Sequence, residues 1–378
     1  MGKDLPATEP AFEPDSPSLA ELLPSAAGPA KSQRRPYWQR RLADAWAIAQ
    51  AAGPMRLANL AMLWAGFWYS RLRKRPTMWG LPFAASLEPT TSCNLRCPEC
   101  LSGLRAFTRP RGMLSPEVAA PVLAQLRRQG FYLNFYFQGE PFLNPDFLAL
   151  VAEARRQGFY VATSTNAHYL TPAVAQATVA SGLSRIIVSL DGTTQETYAQ
   201  YRVGGRIDKV LAGIGNLVAA RNAARTAGPY IILQFLVVGP NEHQLDEART
   251  LAEQLGVDEI RFKTAQIDDY KNGHPLIPKN ARYSRYRRRP DGTFRLAHKL
   301  EDACWRSWSS LVVTWDGTVA PCCFDKDASH AMGNLAQQSL PSLWHGQAYQ
   351  AFRQQILTGR SQIEMCRNCT EGGKVFED

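Results

Sequence analysis

The chain has 378 residues, of which 45% are hydrophobic, and it carries a net charge of +10. This length allows one large domain and a smaller one, and the hydrophobic fraction fits a globular core. The positive charge is compatible with a nucleic acid, a membrane surface or an acidic substrate as partner, and equally with a mixed solvated surface. Because the first ten residues lack the apolar stretch of a signal peptide, a secreted protein stabilised by disulfides is not expected.

The first eighty residues divide into two segments of different composition. Residues 1–35 are rich in proline, alanine, serine and acidic side chains, which is typical of a disordered tail. Residues 36–80 form a basic, amphipathic helical segment whose apolar run, 57–70, is too short to cross a bilayer. Because basic residues flank this run on both sides, the segment could lie in the interface of an anionic membrane. The alternative is a helix that packs on the catalytic domain or on a partner chain.

Residues 83–275 alternate between apolar runs of strand length and helix-like stretches. Runs that are nearly continuous in Ile, Val, Phe and Tyr are typical of a parallel sheet buried on both faces. A helix is predicted after Ser115, a serine N-cap that precedes proline at the first helical position. Six such units are two short of a full barrel, so the sequence predicts an α/β fold with a partial (β/α)6 TIM-like barrel. The predicted strands are Phe83–Leu87, Tyr132–Phe137, Tyr160–Thr163, Arg185–Leu190, Tyr230–Val238 and Glu259–Thr264.

Three of the eight cysteines, Cys93, Cys97 and Cys100, follow the first predicted strand with the spacing C-x3-C-x2-C. Three thiolates can bind three irons of a [4Fe–4S] cluster and leave the fourth iron open to a small molecule. The alternative is a zinc site that lacks one ligand, although no histidine lies nearby in the sequence to complete it. The spacing resembles the radical S-adenosylmethionine (SAM) superfamily, in which the open iron binds the amino and carboxylate groups of SAM. One departure is Glu99, which stands where that superfamily usually has an aromatic residue near the adenine.

Polar residues at the ends of later strands extend this resemblance. The segment 138–141, Gln-Gly-Glu-Pro, resembles the superfamily's GGEP motif, with glutamine in place of the first glycine. The resemblance implies that this segment holds the amino group of SAM and that Arg202 binds its carboxylate through two parallel hydrogen bonds. Asn166 and Asp191 could instead cap helices. The residues expected at the cofactor are Gln138, Gly139, Glu140, Pro141, Asn166, Ser189, Arg202 and Gln234, and those expected in catalysis are Asp191 and Lys263.

The other cysteines lie in residues 276–378, where the alternating pattern ends. The candidate metal ligands are Cys304, Cys322, Cys366 and Cys369. Four thiolates suit a second [4Fe–4S] cluster with no open iron, or a structural zinc, and an Asp-Gly turn before Cys322 predicts a β-hairpin that carries one ligand. The region resembles the small α+β SPASM/Twitch extension of radical SAM enzymes, in its shorter, one-cluster version. Cys323 is a spare cysteine, either inert or a replacement for Cys322.

The resemblance implies a radical SAM oxidoreductase or modifying enzyme. A reduced cluster would give one electron to SAM, and the resulting 5′-deoxyadenosyl radical would take a hydrogen atom from the substrate. The second cluster would accept the product electron, bind substrate or support the fold. Expected substrates are a small sugar or cyclitol, which the short C-terminal domain favours, a peptide, or a lipid or envelope glycan. The alternative is a non-enzymatic iron–sulfur or zinc scaffold or redox sensor, which would need neither an open iron nor polar strand ends.

The expected cofactors and partners follow from the same resemblance. The cofactors are SAM, a SAM-binding [4Fe–4S] cluster and an auxiliary [4Fe–4S] cluster. An external one-electron donor such as flavodoxin or ferredoxin is expected beside the peptide or small-molecule substrate, and specific nucleic-acid binding is not. The expected location is the cytoplasm, with residues 36–80 as a contact to the inner membrane surface.

Overall fold

A nine-stranded sheet organises residues 37–370, the part of the chain that the structure, a computed structural model, describes. Residues 1–35, predicted to be disordered, lie outside the described residues. The strands are β1 (Ala84–Leu87), β2 (Tyr132–Asn134), β3 (Tyr160–Thr165), β4 (Arg185–Ser189), β5 (Tyr230–Val237), β6 (Glu259–Thr264), β7 (Tyr286–Arg288), β8 (Phe294–Leu296), β9 (Ser310–Val313), β10 (Thr318–Ala320) and β11 (Gly333–Asn334). The order in the large sheet is β11-β10-β9-β1-β2-β3-β4-β5-β6, and β7 and β8 form a separate hairpin.

Strands β1 to β6 are parallel and confirm the predicted α/β fold with a partial barrel. Their side chains pack on both faces, as in β5, where six of the eight residues are buried. Within residues 37–370, β6 pairs only with β5, so the sheet does not close onto β1. The carboxyl ends of the six strands therefore share one open edge.

Residues 37–370 contain eleven α-helices, seven of which connect the strands β1 to β6. They are α1 (Tyr37–Arg73), α2 (Leu101–Leu104), α3 (Pro116–Leu126), α4 (Phe147–Arg156), α5 (Pro172–Ala180), α6 (Gln195–Tyr201), α7 (Ile207–Ala223), α8 (Leu245–Leu255), α9 (Arg306–Ser309), α10 (Leu340–Trp344) and α11 (Gln347–Gly359). Helix α3 begins after Ser115 with proline at its first position, as predicted. Helix α5 begins after Thr171, whose hydroxyl accepts a hydrogen bond from the Val174 amide.

Helix α1 crosses the amino ends of the strands. Its Asp44 accepts a hydrogen bond from Tyr160 and pairs with Arg185, the residues that begin β3 and β4. Asn59 donates from Nδ2 to the carbonyl oxygen of Leu81 (2.7 Å), shortly before β1. These contacts place α1 at the edge of the sheet opposite to the carboxyl ends of the strands.

A kink divides α1 into two parts. Gly53 has a φ of 60° and a ψ of 166°, which lie outside the helical region, and Pro54 follows it. Among the residues that the structure describes, no helix combines the length and the hydropathy that crossing a membrane requires.

The C-terminal region continues the same sheet. Strand β9 pairs in parallel with β1, and β10 turns back antiparallel to β9, as the predicted hairpin requires. Gly317 lies in the turn with a φ of 86°, a conformation that favours glycine. A second apolar cluster unites Phe67 of α1 with Trp308, Phe352 and neighbouring buried residues. Helix α1 thus supports the C-terminal region as well as the barrel.

Candidate active site

The loop between β1 and α2 carries Cys93, Cys97 and Cys100 at the carboxyl edge of the sheet. Cys97 is buried, and the other two are half-buried. Burial raises the pKa of the Cys93 thiol to about 11 and also raises the pKa of Cys97. The loop is tied to the segment after α6 by a hydrogen bond from the Arg96 amide to the Val203 carbonyl oxygen (2.9 Å).

Two polar side chains, one after a strand and one after a helix, face this cysteine loop. Asn166, which follows β3, donates from Nδ2 to Asn94 Oδ1 (2.8 Å), and the same nitrogen is 3.9 Å from Cys93 Sγ. Nη1 of Arg202, which follows α6, is 4.0 Å from Cys97 Sγ. A guanidinium and an amide therefore border a cluster of sulfur ligands, as an anionic iron–sulfur group needs.

The turn after β2 lies directly against the same loop. The amide of Gly139 donates to Ser102 Oγ (2.8 Å), and the amide of Glu140 donates to the Ser92 carbonyl oxygen (2.8 Å). Gly139 has a φ of 75°, and a Cβ atom there would lie 2.2 Å from the Thr90 carbonyl oxygen. A glycine is therefore required at this position for both the backbone conformation and the close approach.

The Glu140 carboxylate is enclosed beneath this turn. It accepts hydrogen bonds from Thr165 Oγ1 (2.6 Å), the Asn166 amide (2.8 Å) and, more weakly, the Phe142 amide (3.4 Å). Burial raises the pKa of Glu140 to about 7, although these hydrogen bonds oppose the shift. A cationic group of a ligand would favour the ionised form of such a carboxyl.

Asp191, predicted to be catalytic, is fully buried and fully engaged. Its Oδ1 accepts the Leu236 amide (2.8 Å), and its Oδ2 accepts Nε of Arg202 (2.5 Å). Burial acts to lower the pKa of Arg202, but the charges of Asp191 and Cys97 raise it well above its usual value. The geometry therefore favours Asp191 as the residue that orients Arg202 rather than one that contacts substrate.

The remaining predicted residues also lie along the carboxyl half of the sheet. Gln138 and Pro141 flank the Gly-Glu turn, and Pro141 begins a short 3-10 helix. Ser189 ends β4 and is opposite Gln234 on β5, while Lys263 on β6 is opposite Leu236. Their positions place them at the barrel mouth or just inside it.

Two acidic residues of the mouth make contacts that the sequence did not indicate. Glu88, directly after β1, forms a two-pronged ion pair with Arg109 (2.8 and 2.5 Å) and is completely buried. The rule that polar residues follow parallel strands could have indicated Glu88. Glu99, the departure from the superfamily pattern, accepts a hydrogen bond from the Asp268 amide (3.0 Å) after β6. It therefore ties the cysteine loop to the last parallel strand.

The C-terminal cysteines form a second, more enclosed group. Cys304, Cys366 and Cys369 are buried, and Cys322 is half-buried on the hairpin. The hydrogen bond with Cys323 and burial raise the pKa of Cys322, and burial raises the pKa of Cys366. The charge of Cys304 adds to both shifts, so Cys304 lies near the other two side chains. Cys323 also hydrogen-bonds with Cys322, so it lies beside this group rather than apart from it.

Arg360 is a buried cation beside this second group of cysteines. It is 1% exposed, and its Nη2 is 3.3 Å from Cys369 Sγ while Nη1 donates to the Ala303 carbonyl oxygen (2.7 Å). Burial acts to lower the pKa of Arg360, but the charges of Cys304, Cys369 and Cys366 raise it. A buried cation needs a buried anion beside it, which cysteine thiolates around a cluster provide.

The arrangement of the cysteines also bears on the zinc alternative. Between residues 37 and 370, no group of three or more His, Cys, Asp or Glu side chains is placed to hold a single metal ion. In a cubane cluster each cysteine binds a different iron, whereas the ligands of a zinc site surround one ion.

A cavity of about 450 Å³ lies elsewhere, between α1 and the amino ends of the strands. Arg40, Asp44, Arg221 and Asp258 are among its lining residues. These four residues already form ion pairs within the protein. Because the cavity lies at the edge opposite to the cysteine loop, we do not assign it to the active site.

Comparison with known proteins agrees with the geometry at the carboxyl edge. The sequence model described as "Radical SAM superfamily" matches residues 87–254, and the SPASM model, described as "Iron-sulfur cluster-binding domain", matches residues 304–370. The chain belongs to the radical SAM superfamily. Its radical SAM domain binds a [4Fe–4S] cluster and SAM, and its SPASM domain binds further iron–sulfur. The two cysteine groups described above fit these cofactors.

Two curated relatives are, by name, a maturase and a peptide cyclase. The mycofactocin maturase MftC of Mycobacterium tuberculosis (strain CDC 1551 / Oshkosh) is 35% identical over 199 residues, which cover 51% of this chain and 49% of the relative. The chain thus matches about half the length of this relative. The PqqA peptide cyclase of Ruegeria pomeroyi is 27% identical over 316 residues, which cover 76% of this chain and 79% of the relative.

A solved structure shows the same fold. Streptococcus suis SuiB bound to S-adenosylmethionine superposes with a TM-score of 0.57 at 14% identity, covering 80% of this chain and 75% of SuiB. At this identity the likeness concerns the fold alone. It supports the α/β architecture of the radical SAM type.

Proposed function

We propose that the protein cleaves SAM reductively and abstracts a hydrogen atom from a peptide. The observation that carries the proposal is the meeting of three elements at the carboxyl edge of one sheet. The Glu140–Asn166 pair and the Arg202–Asp191 pair each contact the three-cysteine loop there. Thiolates, a carboxylate and a guanidinium are the groups that a cluster, an amino group and a carboxylate require.

The proposed roles of this chain's residues follow from their contacts. When bound, the cluster and SAM supply a 5′-deoxyadenosyl radical through one-electron cleavage of the sulfonium. Cys93, Cys97 and Cys100 would hold the cluster. Glu140, enclosed by the turn of Gln138, Gly139 and Pro141 and bonded to the Asn166 amide, would hold the amino group of SAM.

The other side of SAM would be held from β4, β5 and α6. Arg202 would bind the SAM carboxylate with its terminal nitrogens, because its Nε is engaged by Asp191. Ser189 and Gln234, opposite one another on neighbouring strands, would face the ribose and the substrate. Lys263 on β6 would act on the substrate from the last parallel strand.

The C-terminal cysteines would hold one auxiliary [4Fe–4S] cluster. The ligands proposed are Cys304, Cys322, Cys366 and Cys369. Their burial and the neighbouring Arg360 support a closed site without an exchangeable position. Such a site would accept the electron that a net oxidation of the substrate releases.

A peptide is the substrate class that we propose. The support is that one curated relative is named as a peptide cyclase and another as a maturase. A small sugar or cyclitol alcohol is the second candidate substrate. A non-enzymatic scaffold is less well supported, because it would not require the polar residues of four further strand ends.

We further propose the partners and the location that suit this chemistry. An external one-electron donor such as flavodoxin or ferredoxin would reduce the cluster in the cytoplasm. Residues 36–80 would contact the inner membrane surface. The exposed apolar side chains of α1 support this contact.

The test is reduction and SAM cleavage by anaerobically reconstituted, full-length protein. We expect addition of SAM to change the electron paramagnetic resonance spectrum of the reduced protein, and 5′-deoxyadenosine to form with dithionite as reductant. A spectrum that SAM does not alter, together with no 5′-deoxyadenosine, would refute the proposed activity. Zinc in place of iron in anaerobically purified protein would favour the scaffold.

A further inference from the structure

Exposed apolar side chains are concentrated on one element of the molecule, α1 and the turn after it. Of fifteen large hydrophobic side chains that are exposed in residues 37–370, eleven lie between residues 38 and 79. They are Trp38, Leu42, Trp46, Met55, Leu57, Met62, Trp64, Trp68, Tyr69, Leu72 and Trp79. An exposed apolar surface of this extent marks a contact with another molecule or with lipid.

The second part of α1 shows this most clearly. Between Pro54 and Leu72 the charged residues are Arg56 and Arg71, which are partly buried, and Arg71 is paired with Glu301. Trp64 and Leu72 are 59% and 80% exposed. The opposite face of the helix packs on the rest of the protein, where Leu63 and Phe67 are buried. Packing therefore fixes which face of the helix points outward, and that face is apolar.

Basic residues stand at the end of this face. Arg73, Lys74 and Arg75 are exposed directly after Leu72. An apolar, tryptophan-rich helix face that ends in three cations is complementary to a bilayer interface with anionic headgroups. A second copy docked here by two-fold symmetry would meet no acidic partner on the helix, because the single acid of α1, Asp44, is buried.

The position of α1 sets the orientation of a bound molecule. The helix crosses the amino ends of the strands, through Asp44 to the starts of β3 and β4 and through Asn59 to the residues before β1. The cysteine loop and Glu140 lie at the opposite, carboxyl edge. A bilayer against α1 therefore faces the amino ends of the strands and not the barrel mouth.

We infer that α1 binds the surface of an anionic bilayer through this face and holds the active-site mouth away from the lipid. This orientation adds to the proposed function a side of the molecule from which the substrate enters. It rests on the proposed function only in assuming that the substrate is a peptide. A mouth that opens to the aqueous side takes a water-soluble peptide, whereas a lipid or a membrane-embedded glycan would have to reach around the molecule.

The test is co-sedimentation of the full-length protein with phosphatidylcholine vesicles that contain or lack phosphatidylglycerol. We expect binding to the anionic vesicles, reduced by roughly 10- to 100-fold in the variant Arg73→Ala/Lys74→Ala/Arg75→Ala. The matched control is Arg287→Ala/Arg288→Ala/Arg289→Ala, which removes the same charge from exposed residues of the β7–β8 hairpin. We expect this control to bind like the wild type; an equal loss in both variants would overturn the inference.

A second variant tests the apolar face. Trp64→Gln/Leu72→Gln should weaken binding by roughly tenfold or more at an unchanged melting temperature, because both side chains are exposed. If the wild type instead forms a dimer without vesicles and this variant is monomeric, the occupant is a second copy and the inference is wrong.

Hydrogen exchange with and without anionic vesicles tests the orientation. We expect protection in residues 54–75 and unchanged exchange in residues 90–113 around the cysteine loop. Protection of the loop and not of α1 would reverse the proposed orientation. None of these readouts involves SAM cleavage, so failure of the membrane inference and failure of the proposed activity are distinguishable.

Discussion

The two cysteine groups of this protein differ in what surrounds them. The loop group, Cys93, Cys97 and Cys100, lies beside a carboxylate and an amide that follow strands and a guanidinium that follows α6. The C-terminal group is enclosed in an apolar cluster with a buried arginine, Arg360. This difference indicates that the surroundings of the loop group suit the binding of a ligand, whereas those of the C-terminal group exclude one.

Removing one thiolate from each group tests this difference most strongly. Reconstituted wild-type protein should contain about eight irons in two four-iron clusters. Cys93→Ala should reduce this to about four and abolish 5′-deoxyadenosine formation, because the loop would keep two thiolates. Iron analysis and chromatography of the reaction products measure both outcomes.

The matched variant is Cys366→Ala in the C-terminal group. It should also contain about four irons but retain SAM cleavage while losing substrate turnover. If the two variants behaved alike in SAM cleavage, the division of labour between the groups would be incorrect.

The next largest effect is expected from a substitution of Gly139, whose backbone lies in close contact with the cysteine loop. Gly139→Ala would place Cβ 2.2 Å from the Thr90 carbonyl oxygen, so the turn must move, and we expect the rate of SAM cleavage to fall by on the order of 100-fold. The C-terminal cluster should persist, as iron analysis would show.

Gly158→Ala is the control for Gly139→Ala. Both glycines have a positive φ, 75° and 82°, but the nearest heavy atom to a Cβ at Gly158 is 3.9 Å away. Both variants should lose about 1–2 kcal/mol of stability from the left-handed backbone, whereas SAM cleavage should fall only in Gly139→Ala. Equal activities would show that the close approach does not matter.

Substitutions of Arg202 and Arg360 test the difference between the two cysteine groups further. Arg202→Lys keeps the charge but loses the planar fork, so we expect SAM affinity to fall about tenfold. Arg360→Lys should leave SAM affinity unchanged and lower the stability by about 1–3 kcal/mol, since buried acceptors such as the Ala303 carbonyl lose their donor. Titration calorimetry and thermal melts distinguish the two, and the reverse pattern would exchange the proposed roles.

The smallest expected effect is a pH dependence at Glu140. Burial raises its pKa to about 7, so the folded protein binds this proton more tightly than the unfolded chain, and its contribution to stability declines as the pH rises towards 7. SAM binding, which needs the carboxylate opposite an ammonium, should strengthen by up to about tenfold between pH 6 and 8. Glu140→Gln should bind more weakly and without this dependence; a wild-type affinity that is flat with pH would contradict the assignment.

Much of the barrel could be predicted from the sequence because its strands are buried on both faces. Strand β6 was predicted with its observed bounds, and β3 and β5 differ by one or two residues at their ends. Strand β2 is three residues shorter than predicted and ends at Asn134. The apolar run continues through Phe135, which is buried, but beyond it the chain turns towards Gly139 and the cysteine loop. Burial alone does not distinguish the strand from the turn that follows it.

The pairing of polar side chains could not be predicted, since it depends on distances between segments far apart in the sequence. The family resemblance of its strand end predicts a catalytic role for Asp191, and it could not indicate that the two carboxylate oxygens accept hydrogen bonds from the Leu236 amide and Arg202. The ion pair of Glu88 with Arg109 was missed for the same reason. A position directly after a parallel strand indicates that a polar residue lies near the site. It does not indicate which neighbouring group forms a hydrogen bond or ion pair with that residue.

The parallel pairing of β9 with β1 has a consequence for the molecule as a whole. Residues 84–87 have neighbours on both sides, one from the barrel and one from the SPASM region. If the chain were cut between these regions, β1 would become an edge strand with unpaired amides and carbonyls, which invites aggregation. The two regions should therefore be produced and unfold together, and a truncated barrel should be insoluble rather than merely less active.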